Sequence, residues 1–95
     1  MACDYTPQEI ERIVVRVYRD RLGDKSITKF SRFGAGKEID IDPDTRRAFF
    51  FPIKQRIDRL PDCVITKLTP DKVQKAKTVG DIIDAIAKEF NVVAV

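Results

Sequence analysis

An all-α fold, a small bundle of four helices with a long loop between the first and the second, is predicted by three observations. Apolar residues recur at three-and-four spacing in separate segments of the 95-residue chain. A Thr or Asp able to cap a helix heads each segment, and three of these caps are followed directly by Pro. Alternation of apolar and polar residues covers only four positions, around Ile39 and Ile41, so a short strand there would lack a partner to pair with.

The first helix opens on Thr6-Pro7-Gln8-Glu9, a capping box in which the Thr hydroxyl accepts from an early N–H and the Glu reaches back. Ile10, Ile13, Val14, Val17, Tyr18 and Leu22 form its apolar side. Glu11, Arg12, Arg16, Arg19 and Asp20 form the other, and Gly23 supplies the stop. From Asp24 to Asp42 the pattern loosens into a long loop, with Ile27, Phe30 and Phe33 as expected anchors and Gly34-Ala35-Gly36 as a hinge. Asp42-Pro43-Asp44-Thr45 starts the second helix. Phe49, Phe50, Ile53, Ile57 and Leu60 carry it to about Leu60, with a bend between Phe49 and Ile53 imposed by Pro52. Pro61-Asp62 ends that element, and a connector with Cys63, Val64, Ile65 and Leu68 leads to Thr69-Pro70-Asp71, the cap of a short third helix with Val73 and Ala76 inward. Thr78 caps the last helix, whose stripe is Val79, Ile82, Ile83, Ile86 and Phe90. Asn91 is its expected end, before an apolar tail. The expected core is Ile10, Ile13, Val14, Val17, Phe33, Phe50, Ile53, Ile57, Val79, Ile82, Ile83 and Ile86.

Residues 1–95 read as a single domain, and 43% hydrophobic with 35% charged residues is a composition that folds. The longest apolar run, Ala48 to Phe51, is far short of a membrane span, and no export signal heads the chain. Cys3 and Cys63 have neither disulfide nor zinc spacing, which fits the reducing cytoplasm; a monomer is the separate expectation for the oligomeric state. Histidine is absent, which removes the commonest general base and metal ligand. The reading is a non-enzyme with no catalytic or metal-binding residue.

The net charge of +3 conceals an uneven distribution: residues 1–45 sum to −1, residues 46–77 to +6 and residues 78–95 to −2. A basic middle can attract an acidic protein, nucleic acid or an anionic surface. Gly34-Ala35-Gly36-Lys37 lacks the length and the Ser or Thr of a phosphate loop, and Asp40, Asp42 and Asp44 lack the glycine and closing glutamate of a calcium loop. Capping and loop solvation account for those acids. Cys63 beside Val64 and Ile65 reads as a small buried residue.

Leu68-Thr69-Pro70-Asp71-Lys72-Val73, followed by Lys77-Thr78-Val79-Gly80-Asp81-Ile82-Ile83-Asp84-Ala85-Ile86, resembles the end of an acyl carrier protein. Thr6-Pro7-Gln8-Glu9-Ile10 through Arg21-Leu22-Gly23 is similar to that family's first helix. The resemblance implies the carrier-type four-helix bundle, and in that family an Asp-Ser-Leu motif opens helix two and bears phosphopantetheine on the serine. Here Glu38-Ile39-Asp40-Ile41-Asp42-Pro43 stands in that place, with Asp42 on the aspartate and Pro43, which has no hydroxyl, on the serine. A shift of two residues offers Asp44-Thr45 instead. The family's acidic helix two is also reversed in sign here by Arg46, Arg47, Lys54, Arg56 and Arg59, a pattern that repels basic partners.

Three functions follow as expectations. The first is a carrier-like module without cofactor that binds an acidic protein partner through Arg46, Arg47, Lys54, Arg56 and Arg59. The second is a working carrier of acyl or aminoacyl groups, with phosphopantetheine on Thr45, or on Ser26 or Ser31 of the loop. The third is a small nucleic-acid-binding domain in which the same cations hold phosphates and one of Phe49 to Phe51, expected to be Phe51, is left at the surface to stack.

Overall fold

The computed structural model describes residues 6–59, 65 and 67–90. Its elements are five helices: α1 (Pro7–Leu22), α2 (Pro43–Ala48), α3 (Phe50–Asp58), α4 (Pro70–Lys75) and α5 (Val79–Phe90). There is no strand among the described residues, only two isolated bridges. The expected second helix is therefore two helices that meet at Phe49. Pro52 explains the break: it sits in the first turn of α3, where its missing N–H costs nothing, rather than mid-helix. The expected end near Leu60, Cys63 with its expected burial, and the expected end at Asn91 with the tail after it lie outside the described residues.

The caps act as their sequences predict. Thr6 accepts from the Glu9 amide, Asp42 from Thr45, Thr69 from Lys72 and Thr78 from Asp81. Each such bond is worth about 1 kcal/mol. Gly23 closes α1 in the left-handed conformation, φ 62°, and its N–H donates to the Arg19 carbonyl. The Asp81 carboxylate accepts from the Lys77 and Thr78 amides, completing a reciprocal box at the head of α5.

Helix α1 packs on α5 and α3, while α2 packs on α4. The core holds eleven of the twelve expected residues; Ile13 is the exception, packed at the margin. It also takes Val15, Tyr18 and Val73 from the helices, Phe49 from the α2–α3 junction, and Ile27, Ile39, Ile65 and Leu68 from the loops. The Tyr18 ring stacks on Phe49 at 4.4 Å and meets Phe33 at 5.4 Å, joining α1 to the α2–α3 junction and to the long loop.

That loop is stitched down over its length. Arg19 Nε donates to the Ile27 carbonyl at 2.7 Å, fixing the loop's start to α1. The Phe33 amide donates to Lys77 O and the Val79 amide to Ser31 O, while across the turn the Gly34 amide donates to Ile39 O and the Ile39 amide to Arg32 O. Arg32 and Glu38 form a bidentate pair, with Glu38 also accepting from the Arg32 amide, and these bonds hold the Glu38 carboxyl down to about 2. The glycine segment is thus a hydrogen-bonded turn rather than a hinge. Phe30 corrects the expectation of an anchor: it is 75% exposed, and Ile39, at 2%, fills the core in its stead.

The Tyr18 hydroxyl is buried with no hydrogen-bond partner among the described residues, and burial pushes its pKa well above the ordinary 10. Because burial penalises only the phenolate, stability is unaffected well below pH 10 and falls as pH rises past it, where the unfolded chain ionises and the folded one resists. Tyr18→Phe is expected to be at least as stable as the native chain at pH 7, since an unpartnered hydroxyl is removed at a gain of about 1 kcal/mol. The variant should also lose less stability than the native chain between pH 9 and 11, as measured by urea denaturation. An equal alkaline decline in both proteins would refute this account.

Candidate functional site

The head of α2 is built around Asp42. Its carboxylate accepts the Thr45 amide at 2.7 Å and lies below the usual carboxylate range, chiefly through hydrogen bonding from Thr45, with a smaller contribution from the Arg46 charge. Pro43 occupies the first helical position and Asp44 the second, next to the positive end of the helix. Gln74 donates to the Pro43 carbonyl at 3.1 Å, and Arg47 pairs with Asp71, so α4 clamps this end of α2 from the side. Thr45 is exposed in the first turn. Ser26 hydrogen-bonds Asp24 in an exposed turn, whereas Ser31 is only 5% exposed and its hydroxyl accepts the Thr28 amide. Burial removes Ser31 from the hydroxyls an enzyme can reach.

The five cations of the expected partner-binding face are not presented together. Arg46 is half-buried, and its Nε has no hydrogen-bond partner among the described residues. Arg47 is held by Asp71 on α4. Lys54 Nζ contacts Asp58 at 2.6 Å and the Ile65 carbonyl at 3.3 Å, and Asp58 accepts the Ile65 amide, so this pair fastens the connector onto α3. Arg56 and Arg59, three positions apart and exposed, have no ion pair or hydrogen bond among the described residues. They are the open part of the surface. Phe51, 62% exposed, stands at the other end of α3 while Phe49 and Phe50 are buried, as the spacing predicted.

Two of the three alternating acids are hydrogen-bonded within the fold. Asp40 accepts the Gly36 amide, and Asp42 caps α2. Among the described residues no group of three or more His, Cys, Asp or Glu side chains is placed to hold a metal ion. In the glycine turn the Gly34, Gly36 and Lys37 amides all bond within the loop and do not converge on an anion.

A second charged feature lies away from α2 and α3. An open groove of about 810 Å³ runs between the solvent face of α1 and the start of the long loop, with Arg12, Arg16, Arg19, Lys25 and Lys29 along it and Val15 among its lining residues. Arg12, Arg16 and Arg19 recur about once per helical turn, a signal present in the sequence but hidden by the net negative charge of residues 1–45. No helix among the described residues is long and apolar enough to cross a membrane. No family model, no curated protein and no solved structure matches this chain.

Proposed function

We propose that this chain is an acyl-carrier-protein-like module that works without a phosphopantetheine arm, as a non-catalytic domain binding an acidic protein through the basic side of α3. The observation that carries the reading is Pro43: the residue directly after the Asp42 cap, where the resemblance puts the modified serine, has no hydroxyl. Exposed Arg56 and Arg59 supply the attraction, and a partner's carboxylates would meet guanidinium groups not already engaged within the described fold. Half-buried Arg46 adds positive potential, whereas Arg47 and Lys54 act within the fold.

A second reading rests on Thr45, whose exposure in the first turn leaves a hydroxyl two positions from the expected one. One experiment separates the two. Incubation with coenzyme A and a broad-specificity phosphopantetheinyl transferase should leave the intact mass unchanged; an adduct absent from Thr45→Val would establish the carrier instead. In parallel, titration of the isotope-labelled protein with an oligo-glutamate peptide should shift the amides of Arg56 and Arg59 and lose that response in the Arg56→Glu/Arg59→Glu variant. Shifts confined to α1 would overturn the assignment of the surface.

A further inference from the structure

The groove along α1 and the phenylalanine beside it have no role in the reading above. Phe30 is the most exposed large apolar side chain described, and nothing in the core requires it. Its backbone is nevertheless fixed. The Ser31 amide donates to Thr28 O, the Thr28 amide to the Ser31 hydroxyl, and the Phe30 amide to the Thr28 hydroxyl at 3.2 Å. The Lys29 carbonyl accepts from the Gly80 amide at 2.7 Å, tying the tip of this turn to the head of α5. Lys29 Nζ lies 5.2 Å from the Phe30 ring centroid, so the ammonium that lines the groove also covers part of the ring. An aromatic plane is thus held out to water at the side of a cationic channel, by a backbone that needs no ordering when a ligand arrives.

Within the channel the cations differ in freedom. Arg19 is committed to the Ile27 carbonyl. Arg12 and Lys25 have no ion pair among the described residues. Arg16–Asp20 and Lys29–Glu11 are 3.6 Å contacts between exposed side chains, weak enough to be exchanged for another anion. Along α1, Arg12 and Arg16 are separated by about 6 Å of helix rise, comparable with the step between successive phosphates of an extended strand. An acidic peptide would satisfy the cations but leave the ring in water, whereas a nucleobase uses both.

We infer that the groove between α1 and the loop that follows it binds single-stranded nucleic acid, with Arg12, Arg16, Lys25 and Lys29 holding phosphates and Phe30 stacking on a base. This surface differs from the one on α3, so either assignment can fail alone.

The test is fluorescence anisotropy with labelled twelve-nucleotide oligo-dT and oligo-U on the intact chain. Binding should weaken with salt, with a slope of log K against log salt of about −2 or steeper. Phe30→Ala should weaken binding about tenfold with little change in that slope. Arg12→Ala/Arg16→Ala should make the slope shallower by roughly 1. Lys75→Ala/Lys77→Ala, the same loss of two charges at residues that do not line the groove, should have a smaller effect than either. All the altered side chains are exposed, and circular dichroism will show that each variant keeps its helix content. The inference is overturned if neither oligonucleotide binds at 50 mM salt, if Phe30→Ala binds as well as the native chain, or if oligo-glutamate displaces the strand at equal charge concentration. The last outcome would assign the groove to an acidic peptide.

Discussion

Replacing Ile39 by alanine is expected to lower stability by about 2–4 kcal/mol, as much as a truncation inside a helix of the core, and to reduce Tm by roughly 10–25 °C. Nothing in its immediate sequence suggests this. Ile39 lies between two acids in a nineteen-residue stretch without a helix, from Asp24 to Asp42. The structure makes it 2% exposed, and its amide and carbonyl both bond to the Arg32–Gly34 segment. Alanine leaves a cavity that this tied backbone cannot collapse to fill. Thermal melts of Ile39→Ala and of Ile41→Ala, whose side chain is only partly buried, should differ clearly. Similar small losses for both would mean that the loop lies on the core without belonging to it.

Gly80→Val is expected to cost about 1–3 kcal/mol. The second position of a helix normally tolerates any side chain, and Gly→Ala in a helix ordinarily gains up to about 1 kcal/mol. Here a Cβ on residue 80 would stand 3.0 Å from the Lys29 carbonyl oxygen, the same atom that accepts the Gly80 amide at 2.7 Å. The loop would have to withdraw, stretching that bond and those at Ser31 and Phe33. Gly80→Ala should therefore lose its helix gain and melt at or slightly below the native temperature, with valine clearly lower. A rise in Tm for Gly80→Ala would show that the contact gives way without cost.

Much of this fold is written in local signals. Thr6, Asp42, Thr69 and Thr78 each cap the helix they announce, and Phe49, Phe50 and Phe51 divide between core and solvent as helical spacing requires. The bend at Phe49 follows from Pro52 for the same reason, because a ring and a missing donor act on the turn that contains them. What escaped the sequence is set at long range. Phe30 looks like an anchor by composition, but the turn beneath it is held by α5 nearly fifty positions later, and that attachment points the ring outward. Val15 falls off the strict apolar stripe of α1, yet it is buried. The basic surface was legible as charge and not as geometry. Arg47 meets an aspartate twenty-four positions away, and Lys54 spends its charge on Asp58 and a loop carbonyl, so only part of a five-residue pattern faces outward. The groove on α1 was missed for the opposite reason: residues 1–45 sum to −1, whereas the groove gathers five of their cations against only two of their acids, Glu11 and Asp20.

The pairing of α1 with α5 has a consequence for how the chain is made. Helix α1 is translated first, and the apolar side that α5 covers has to wait for a helix whose end, Phe90, follows Leu22 by 68 positions. At about 5–20 residues added per second, that interval lasts roughly 3–14 s. Throughout it the buried side of α1 lacks part of its cover, and the nascent polypeptide offers chaperones a greasy stripe that the finished molecule hides.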